Sequence, residues 1–417
     1  MRFHSLFFAA CLVAGALSCG GEEPALAVHE WGVWVRGQTT QGVLLAGPNE
    51  LVENLPSFVL RLAKEYKPKR QDHGWNKPVL HLYGPEGLAV TVKVLTPQGR
   101  LTAYYPEPRL LEETATITSR KEMMVYSLTD CTGLEWTGTL AAQAPGNLAQ
   151  PPAGHWWGRV REVPSAYIKT GRGIERFLFY EATAFQEPLL TGQVKADELV
   201  LKNGDEQPSG PVLVLVNDGK ARFLRVVESI PAGGEVQLGK AELLKAPSGD
   251  AEILQAARAQ WEAFGLTKEE AAAIVETWRP DLLATPGFLV ASRVPPRVYD
   301  QMFPLSVTPA PRQVVRAGVI FDTLPGEAER LAWLPALSET FEAWVKDLNH
   351  NDFEVRERAT ARFARLGDLP RPFLEKVAQG DQPEAQAIAR GLLARLKPAD
   401  VQPPLVKTGK RQVVLPR

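Results

Sequence analysis

Residues 212–227 read Val-Leu-Val-Leu-Val-Asn-Asp-Gly-Lys-Ala-Arg-Phe-Leu-Arg-Val-Val, and this stretch decides the class of fold. Two runs rich in Val and Leu lie on either side of Asn217-Asp218-Gly219. Asp-Gly between two apolar runs is a strong signal for a β-hairpin, because both central positions of the turn need positive φ. The sequence therefore predicts two antiparallel strands that are joined by a tight turn.

Alternation of apolar and polar residues predicts more strands on the N-terminal side of this hairpin. In Leu88-Ala-Val-Thr-Val-Lys-Val94 the larger apolar side chains share one face, as in a half-buried strand. One helix at about 51–65 and a Pro-rich surface loop at 144–164 interrupt the strands. We therefore assign residues 28–247 to a β-rich antiparallel domain. Its further strands are expected at 28–36, 78–83, 101–105, 122–128, 133–140, 174–181 and 235–244.

Helical spacing replaces alternation after the β-rich domain. A helix is expected between Asp250 and Gly265, and Thr267 with Glu270 forms a capping box that begins a second helix, which stops before Pro280. Short strands are expected at 287–293 and 312–321. Residues 248–335 are therefore assigned to a mixed α/β region.

Residues 336–397 carry four short amphipathic helices on tight turns, which is typical of stacked helical hairpins. The stretch Asn351-Asp-Phe-Glu-Val-Arg-Glu-Arg-Ala-Thr360, with Leu366-Gly367 after it, resembles a HEAT-like repeat. Because a free stack needs about three repeats, we expect this segment to pack on the preceding region and to contact a protein partner. Its own small core is expected to consist of Phe341, Val345, Phe363, Ile388 and Leu392.

These patterns together predict an α+β protein. It has a β-rich antiparallel body, a mixed α/β region and a C-terminal α-helical HEAT-like repeat. Residues 398–417 include several Lys and Arg residues and are expected to form a mobile basic tail.

The N-terminus has the pattern of an export signal. Arg2 precedes an apolar run, Leu6–Leu17, which is shorter than the roughly 20 residues that span a bilayer. Such a run is typical of the apolar part of a secretory signal peptide. We assign residues 1–19 to this signal peptide and residues 20–27 to a short linker.

Two cleavage sites compete at the end of the signal peptide. Ala16-Leu17-Ser18 before Cys19 resembles a bacterial lipobox, and Ala25-Leu26-Ala27 is a plain secretory site. We expect lipidation of Cys19, and therefore a membrane contact through an N-terminal lipid anchor. The expected location is the cell envelope, in the periplasm or as a membrane-anchored lipoprotein, with plain secretion as the alternative.

Composition narrows the classes of partner. The chain has 417 residues and a formal net charge of −1, so it has no strong positive field to attract nucleic acid. Of its three cysteines, Cys11 and Cys19 lie in the leader, so only Cys131 remains as an unmodified thiol and no internal disulfide is possible. We expect no nucleic-acid partner.

Candidate catalytic and metal-binding residues are few. The sequence contains no His-Glu-x-x-His pair, no Gly-x-Ser-x-Gly elbow and no Cys-x-x-Cys. Four residues, His29, Glu30, His81 and His155, form a candidate polar cluster of the β-rich domain. His29 shares a strand face with Trp31, so a neutral imidazole that bonds a backbone carbonyl is the simpler interpretation.

We predict no metal and no cofactor. Structural zinc sites use closely spaced ligand pairs, and none of His29, His73, His81 and His155 lies within five residues of another. Two or more of these histidines clustered with a carboxylate would instead favour an enzyme.

Trp156 and Trp157 are the candidate binding aromatics. They follow the Pro-rich loop and stand beside His155. An exposed Trp pair can form a platform for a sugar or a peptide. Two Trp residues that pack under a loop are the alternative.

Six short segments occur in a fixed order along the chain. They are His29-Glu-Trp-Gly32, Leu55-Pro-Ser-Phe-Val-Leu-Arg-Leu62, Lys77-Pro-Val-Leu-His-Leu-Tyr83, Tyr104-Tyr-Pro106, Glu175-Arg-Phe-Leu-Phe-Tyr180 and, within 297–311, Arg297-Val298 and Leu305-Ser-Val-Thr-Pro-Ala-Pro311. In this order they resemble an uncharacterised family of secreted bacterial proteins. The likeness covers about residues 28–325 and implies an architecture without a known activity.

Three functions follow as hypotheses. The first is an envelope-anchored binding or scaffold module, which the export signal and the helical repeat favour. The second is a metal-dependent hydrolase that uses the candidate polar cluster. The third is a polysaccharide-binding module that uses Trp156 and Trp157.

Overall fold

The computed structural model describes residues 26–37, 55–61, 73–97, 99–118, 125–144, 146–184, 189–195, 197–324, 336–364 and 370–395. The chain is an α+β protein, as the sequence predicts. Its strands within these ranges are β1 (Ala27–Gly37), β2 (Leu60–Arg61), β3 (His73–Tyr83), β4 (Ala89–Leu95), β5 (Gly99–Tyr105), β6 (Arg109–Thr118), β7 (Val125–Ala141), β8 (Tyr167–Thr170), β9 (Gly173–Glu175), β10 (Phe177–Ala184), β11 (Leu190–Lys195), β12 (Glu198–Asn203), β13 (Val212–Asn217), β14 (Arg222–Val227), β15 (Glu235–Gly239), β16 (Gly287–Val294), β17 (Leu305–Thr308) and β18 (Gln313–Thr323).

Helices lie between some of the strands along the chain and follow the last strand. Those described are α1 (Trp156–Arg161), α2 (Lys240–Leu243), α3 (Asp250–Ala263), α4 (Lys268–Ala284), α5 (Pro296–Met302), α6 (Ala336–Leu348), α7 (Phe353–Ala364), α8 (Arg371–Ala378) and α9 (Pro383–Arg395). Within the described ranges, no helix is both long and apolar enough to cross a bilayer.

A nine-stranded sheet forms the centre of the molecule, in the order β14-β13-β16-β18-β1-β3-β10-β5-β2. Strand β1 lies in its middle and pairs with β18 in parallel and with β3 in antiparallel orientation. The hairpin predicted at 212–227 is confirmed, because β13 and β14 pair from Val212↔Val227 to Asn217↔Arg222. Gly219 in its turn has a φ of 92°, which a glycine adopts at no steric cost.

The two faces of the central sheet are covered by different layers. One face packs on α1, α3 and α4, and Trp31, Phe179, Trp261 and Ile274 lie in this core. The other face packs on α5 and on a second sheet of order β17-β4-β7-β8-β9, with β6 paired to β7. Burial on both faces explains why these strands contain long apolar runs instead of strict alternation.

Helices α6 to α9 do not have a core of their own, which corrects the expectation of a separate small core. Phe341, Phe363 and Leu392 belong to one buried cluster with Val214 of β13 and Val290 of β16. The segment therefore packs on the preceding region, as predicted, because its apolar stripes bury themselves against the sheet.

Three local predictions are wrong in detail. The described part of 51–65 is a turn followed by β2, which pairs with β5. The loop at 144–164 contains helix α1. Helix α4 continues through Pro280 to Ala284, since burial of Leu282 on the core holds its last turn in place.

Several predictions concern residues outside the described ranges. They are the signal peptide at 1–19 with Cys19 at its end, most of the linker at 20–27, and the tail at 398–417.

Candidate functional site

His29 and His81 lie opposite each other on β1 and β3. His29 Nδ1 is 2.9 Å from Glu270 Oε2, and the exposed fractions of the two side chains are 8% and 0%. The Tyr83 hydroxyl donates to Glu270 Oε1 at 2.9 Å. The structure thus brings two histidines, a tyrosine and a carboxylate together under the first turn of α4.

Glu270 is held in this position by its own helix. Its backbone N–H donates to Thr267 Oγ1, and its side chain accepts from the Thr267 backbone N–H, which completes the predicted capping box. Burial alone would raise the pKa of the Glu270 carboxyl, but the hydrogen bond with His29 and the charges of His81 and His29 lower it. The carboxylate is therefore a fixed anion at the base of α4.

His81 is completely buried beside this carboxylate. Its Nδ1 is 2.9 Å from Ser165 Oγ, and Ser165 Oγ also donates to the Arg176 carbonyl at 3.1 Å. Burial lowers the pKa of His81 to about 4; Glu270 opposes the shift, and the charges of His29 and Arg176 add to it. The imidazole is therefore neutral at pH 7.

This cluster contains the two histidines and the carboxylate that were expected to favour an enzyme, but its described hydrogen bonds are not those of a serine triad. A catalytic triad needs a serine on one ring nitrogen and a carboxylate on the other. Ser165 contacts His81 Nδ1, whereas His81 Nε2 has no partner within the described ranges. Glu270 bonds His29 and Tyr83 instead.

Glu30 lies on the opposite face of β1, away from the histidines. It accepts a hydrogen bond from the Tyr180 hydroxyl at 2.6 Å and from Arg316 Nε at 2.6 Å. Arg316 Nη1 also donates to Asp300 Oδ1 at 2.8 Å, and the guanidinium stacks 4.0 Å above the Tyr299 ring. Glu30 is thus neutralised within the core between the two sheets.

The pKa values of two groups in this second cluster, Arg316 and Tyr180, are raised. Burial would lower the pKa of the Arg316 guanidinium, but Glu30 raises it far above its usual range. Burial and Glu30 also raise the pKa of the Tyr180 phenol well above its usual value. Both shifts favour the protonated forms, so at pH 7 Arg316 is a cation and Tyr180 is a neutral phenol.

His155, the fourth member of the candidate polar cluster, is a helix cap. Its Nδ1 accepts from the Trp157 backbone N–H at 3.1 Å, at the start of α1. The prediction that His29, Glu30, His81 and His155 form one site is therefore wrong, since they lie in three separate networks. The expected backbone-carbonyl partner of His29 is likewise replaced by a carboxylate.

Trp156 and Trp157 do not form an open platform, which corrects the prediction of binding aromatics. Their exposed fractions are 6% and 0%. The Trp157 indole donates to Glu175 Oε2 at 2.9 Å, and Arg161 Nε donates to Glu175 Oε1 at 2.9 Å. Burial of both rings against Phe179 anchors α1 on the sheet, so a sugar has no ring face on which to stack.

Metal ligands are not grouped in the described ranges, where no three His, Cys, Asp or Glu side chains are placed to hold an ion. His73 is part of β3, but its side chain lies outside the described residues, as does that of Cys131.

The helical segment presents an aromatic side chain to solvent. Phe353 begins α7 with 64% of its surface exposed, and the Arg356 guanidinium lies 5.7 Å from its ring centroid. Arg356 donates to the His350 carbonyl at 2.7 Å and is 2.9 Å from a Glu384 carboxylate oxygen on α9. The Phe353 ring is thus exposed beside Arg356, whose guanidinium is held by the His350 carbonyl and by Glu384.

Sequence reasoning missed Glu270, Ser165 and Arg316. The capping box at Thr267 was a sufficient signal for a helix start, but not for a carboxylate that faces a histidine 241 residues away. Arg316 had a usable signal, because a charged residue within an apolar strand must meet an opposite charge.

No protein-family model matches the chain, and no curated protein matches it. Sixteen chains of solved structures match. One is the yeast delta-COP-I mu-homology domain complexed with a Dsl1 WxWxV peptide, at 9% identity and a TM-score of 0.24, over 72% of this chain and 97% of that chain. A likeness of that size carries no conclusion about fold or function.

Proposed function

We propose that the protein is an exported, lipid-anchored envelope protein that acts as a binding or scaffold module, with a protein partner at the helical segment. The observation that carries the proposal is Phe353, which is exposed at the start of α7 and flanked by the fixed Arg356. Aromatic and arginine side chains dominate the energy of protein interfaces. Arg356 is already held by the His350 carbonyl and by Glu384, so its side chain loses little entropy on binding.

The surroundings of Phe353 favour a particular kind of partner. Asp352, Glu354 and Glu357 are exposed on the same turn of the chain. Arg356 and Arg358 lie among these acids, and Arg358 is 3.4 Å from Glu354, so a complementary protein surface has an apolar pocket with a rim of mixed charge. The shared core beneath α6 to α9 keeps this surface rigid relative to the sheet.

Site-specific crosslinking in the native envelope tests this proposal. A photoreactive residue at position 353 should give one discrete crosslinked product, and the same residue at position 391 should give none. Gly391 is the matched control because it is exposed on α9, and a Cβ added there would meet no neighbouring atom within 4 Å.

The crosslinked partner must then be purified and its affinity measured. Phe353→Ser should weaken binding by about 30-fold, which corresponds to the loss of a hot spot of about 2 kcal/mol, and Gly391→Ser should leave the affinity unchanged. Equal products from both positions, or equal affinities of both variants, would refute the partner surface.

The lipid anchor is tested separately by detergent phase partitioning. Wild type should enter the detergent phase and Cys19→Ser should remain aqueous, because stable anchoring needs more than one acyl chain. If both proteins stay aqueous, the protein is simply secreted, and the partner surface is unaffected by that result.

A further inference from the structure

Three arginines from three different helices converge on one carboxylate, that of Glu276 on α4. Arg159 Nη1 of α1 lies 3.4 Å from Glu276 Oε2, and Arg279 Nη1 of α4 lies 3.3 Å from the same oxygen. Arg258 Nη2 of α3 lies 3.0 Å from Glu276 Oε1. The three guanidinium groups are therefore close neighbours around a single negative charge.

This arginine cluster, which consists of Arg159, Arg258 and Arg279, is open to solvent. The exposed fractions of the three side chains are 46%, 43% and 46%, and that of Glu276 is 25%. The helices that carry them are fixed, because α1, α3 and α4 all contribute buried side chains to the core on one face of the central sheet. A ligand therefore meets a surface that is already assembled, which lowers the ordering cost of binding.

The cluster carries more positive charge than its one carboxylate balances. Three guanidinium groups and Glu276 leave two positive charges uncompensated, since among the described residues none of the three arginines has a second acid within ion-pair distance. Glu162 and Glu262 follow Arg159 and Arg258 by about one turn, but both are exposed, so water and salt screen them. Like charges held this close repel each other, and a bound anion removes that repulsion.

Hydrogen-bond donors of the arginine cluster are also available. Each guanidinium has five N–H donors, and within the described part of the chain each of the three side chains donates only to Glu276, through one nitrogen. Arg258 Nε is buried without a hydrogen-bond partner. Guanidinium groups bind phosphate oxygens through pairs of parallel N–H bonds. The cluster therefore has both the charge and the unused donors that a phosphate group needs.

We infer that the arginine cluster binds a phosphate monoester. Such a group carries about −1.5 to −2 charges at pH 7, which matches the two uncompensated positive charges, whereas a carboxylate or a phosphate diester carries a single charge. The same chemistry is present in soluble phosphate esters and in the headgroup of phosphatidic acid. The site is independent of the proposed partner surface on α7.

Two binding measurements at low ionic strength test the inference and distinguish these sources. Both use the mature chain from residue 20 onward, which carries no acyl group, so that an anchor does not contribute. Phosphorus NMR titration with methyl phosphate measures the soluble monoester, and dimethyl phosphate is the matched diester control. Cosedimentation with phosphatidylcholine vesicles that contain phosphatidic acid measures the membrane-borne monoester, and phosphatidylglycerol in its place is the diester control.

At least one monoester should bind saturably and more tightly than its diester control, and the monoester that does so identifies the source of the phosphate. Binding of neither monoester would overturn the inference. Equal binding of each monoester and its diester control would overturn it as well, because it would show a general attraction to anions instead of a monoester site.

Arg159→Gln should weaken binding of that monoester by about tenfold, because it removes one of the three guanidinium groups, whereas Arg172→Gln should leave binding unchanged. Arg172 is the matched control, since it is exposed and forms an ion pair with a single acid, Glu107. Glu276→Gln should instead strengthen binding, because it removes the negative charge that repels the phosphate. Melting temperatures measured in parallel show that each variant is folded. Unchanged binding in Arg159→Gln, or no gain in Glu276→Gln, would overturn the inference.

Discussion

Two adjacent residues of β1 show how differently the two faces of one sheet hold buried polar groups. His29 points towards α4 and meets the Glu270 carboxylate, beside the neutral imidazole of His81. Glu30 points towards the second sheet and meets Arg316, whose charge is permanent. On the His29 face the pKa values of His81 and Glu270 are lowered, whereas on the other face the pKa values of Arg316 and Tyr180 are raised.

The difference also separates two structural roles. On the His29 face the polar network fixes the start of a helix to the sheet, with Thr267, Glu270 and His29 in one chain of hydrogen bonds. On the Glu30 face it joins three strands and α5 through Glu30, Tyr180, Arg316 and Asp300. Each network therefore ties separate elements of the body together.

The largest expected effect comes from breaking the ion pair on the Glu30 face. Arg316→Met should lower the free energy of unfolding by about 3–5 kcal/mol, because it leaves Glu30 buried without a cation. Glu270→Gln should cost less, about 1–2 kcal/mol, since the amide oxygen still accepts from Tyr83. Urea unfolding measured at pH 7 would compare the two variants.

A double variant provides the control for that comparison. Glu30→Gln combined with Arg316→Met should recover part of the lost stability, because no unpaired charge remains. The single variant Glu30→Gln completes the cycle. If the costs of Glu30→Gln and Arg316→Met simply add in the double variant, the two residues are not coupled and the described role of the pair is wrong.

The next effect is the pH dependence of the His29 face. His81 titrates near 6.5 when unfolded and at about 4 when folded, so the unfolded chain binds more protons in this window. Its contribution, about 3.5 kcal/mol at about 1.4 kcal/mol per pH unit, is complete above pH 6.5 and is lost as the pH falls to about 4. The lowered pKa of Glu270 adds stability above its ordinary value of 4.5, and this is lost as the pH falls from 4.5 towards the folded pKa.

His81→Asn should flatten the dependence of unfolding free energy on pH between 4 and 6.5, since it removes the titrating ring. His350→Asn is the matched control because His350 is exposed on the helical segment. A wild-type curve that is flat over this window, or an unchanged slope in His81→Asn, would contradict the buried neutral imidazole.

The smallest expected effect distinguishes the two tyrosines. Tyr180→Phe and Tyr83→Phe each remove a hydroxyl that donates to a carboxylate. We expect a cost of about 2 kcal/mol for Tyr180→Phe and about 1 kcal/mol for Tyr83→Phe, because Tyr180 is completely buried and Tyr83 is partly exposed. Thermal unfolding measures the two costs. A larger loss for Tyr83→Phe than for Tyr180→Phe would mean that the His29 face is the better shielded from water.

Much of the secondary structure follows from the sequence because the signals are local. The Asp-Gly turn within 212–227 predicts its hairpin, and Thr267 with Glu270 predicts the start of α4. The failures have physical reasons as well. Pro280 reads as a helix end, but tertiary burial of Leu282 outweighs the local penalty of proline.

The candidate site could be predicted only in part. His29 and His81 were found as polar residues within apolar strands, and the register of β1 with β3 places them together. His155 and Glu30 were grouped with them because they are polar residues of the same predicted domain, but in space they lie in other networks. Strand alternation puts residues 29 and 30 on opposite faces, and Glu30 accordingly meets Tyr180 and Arg316 instead of the histidines.

The sequence by itself determined the α+β class, the hairpin at 212–227, and a helical C-terminal segment that packs on the preceding region. These depend on side-chain periodicity and turn chemistry, which act over a few residues. Tertiary structure alone decided that Glu270 meets His29, that Arg316 meets Glu30, and that Trp156 and Trp157 are buried. Such pairings depend on which distant segments become neighbours, because the energy of a buried charge is set by the groups that surround it in space.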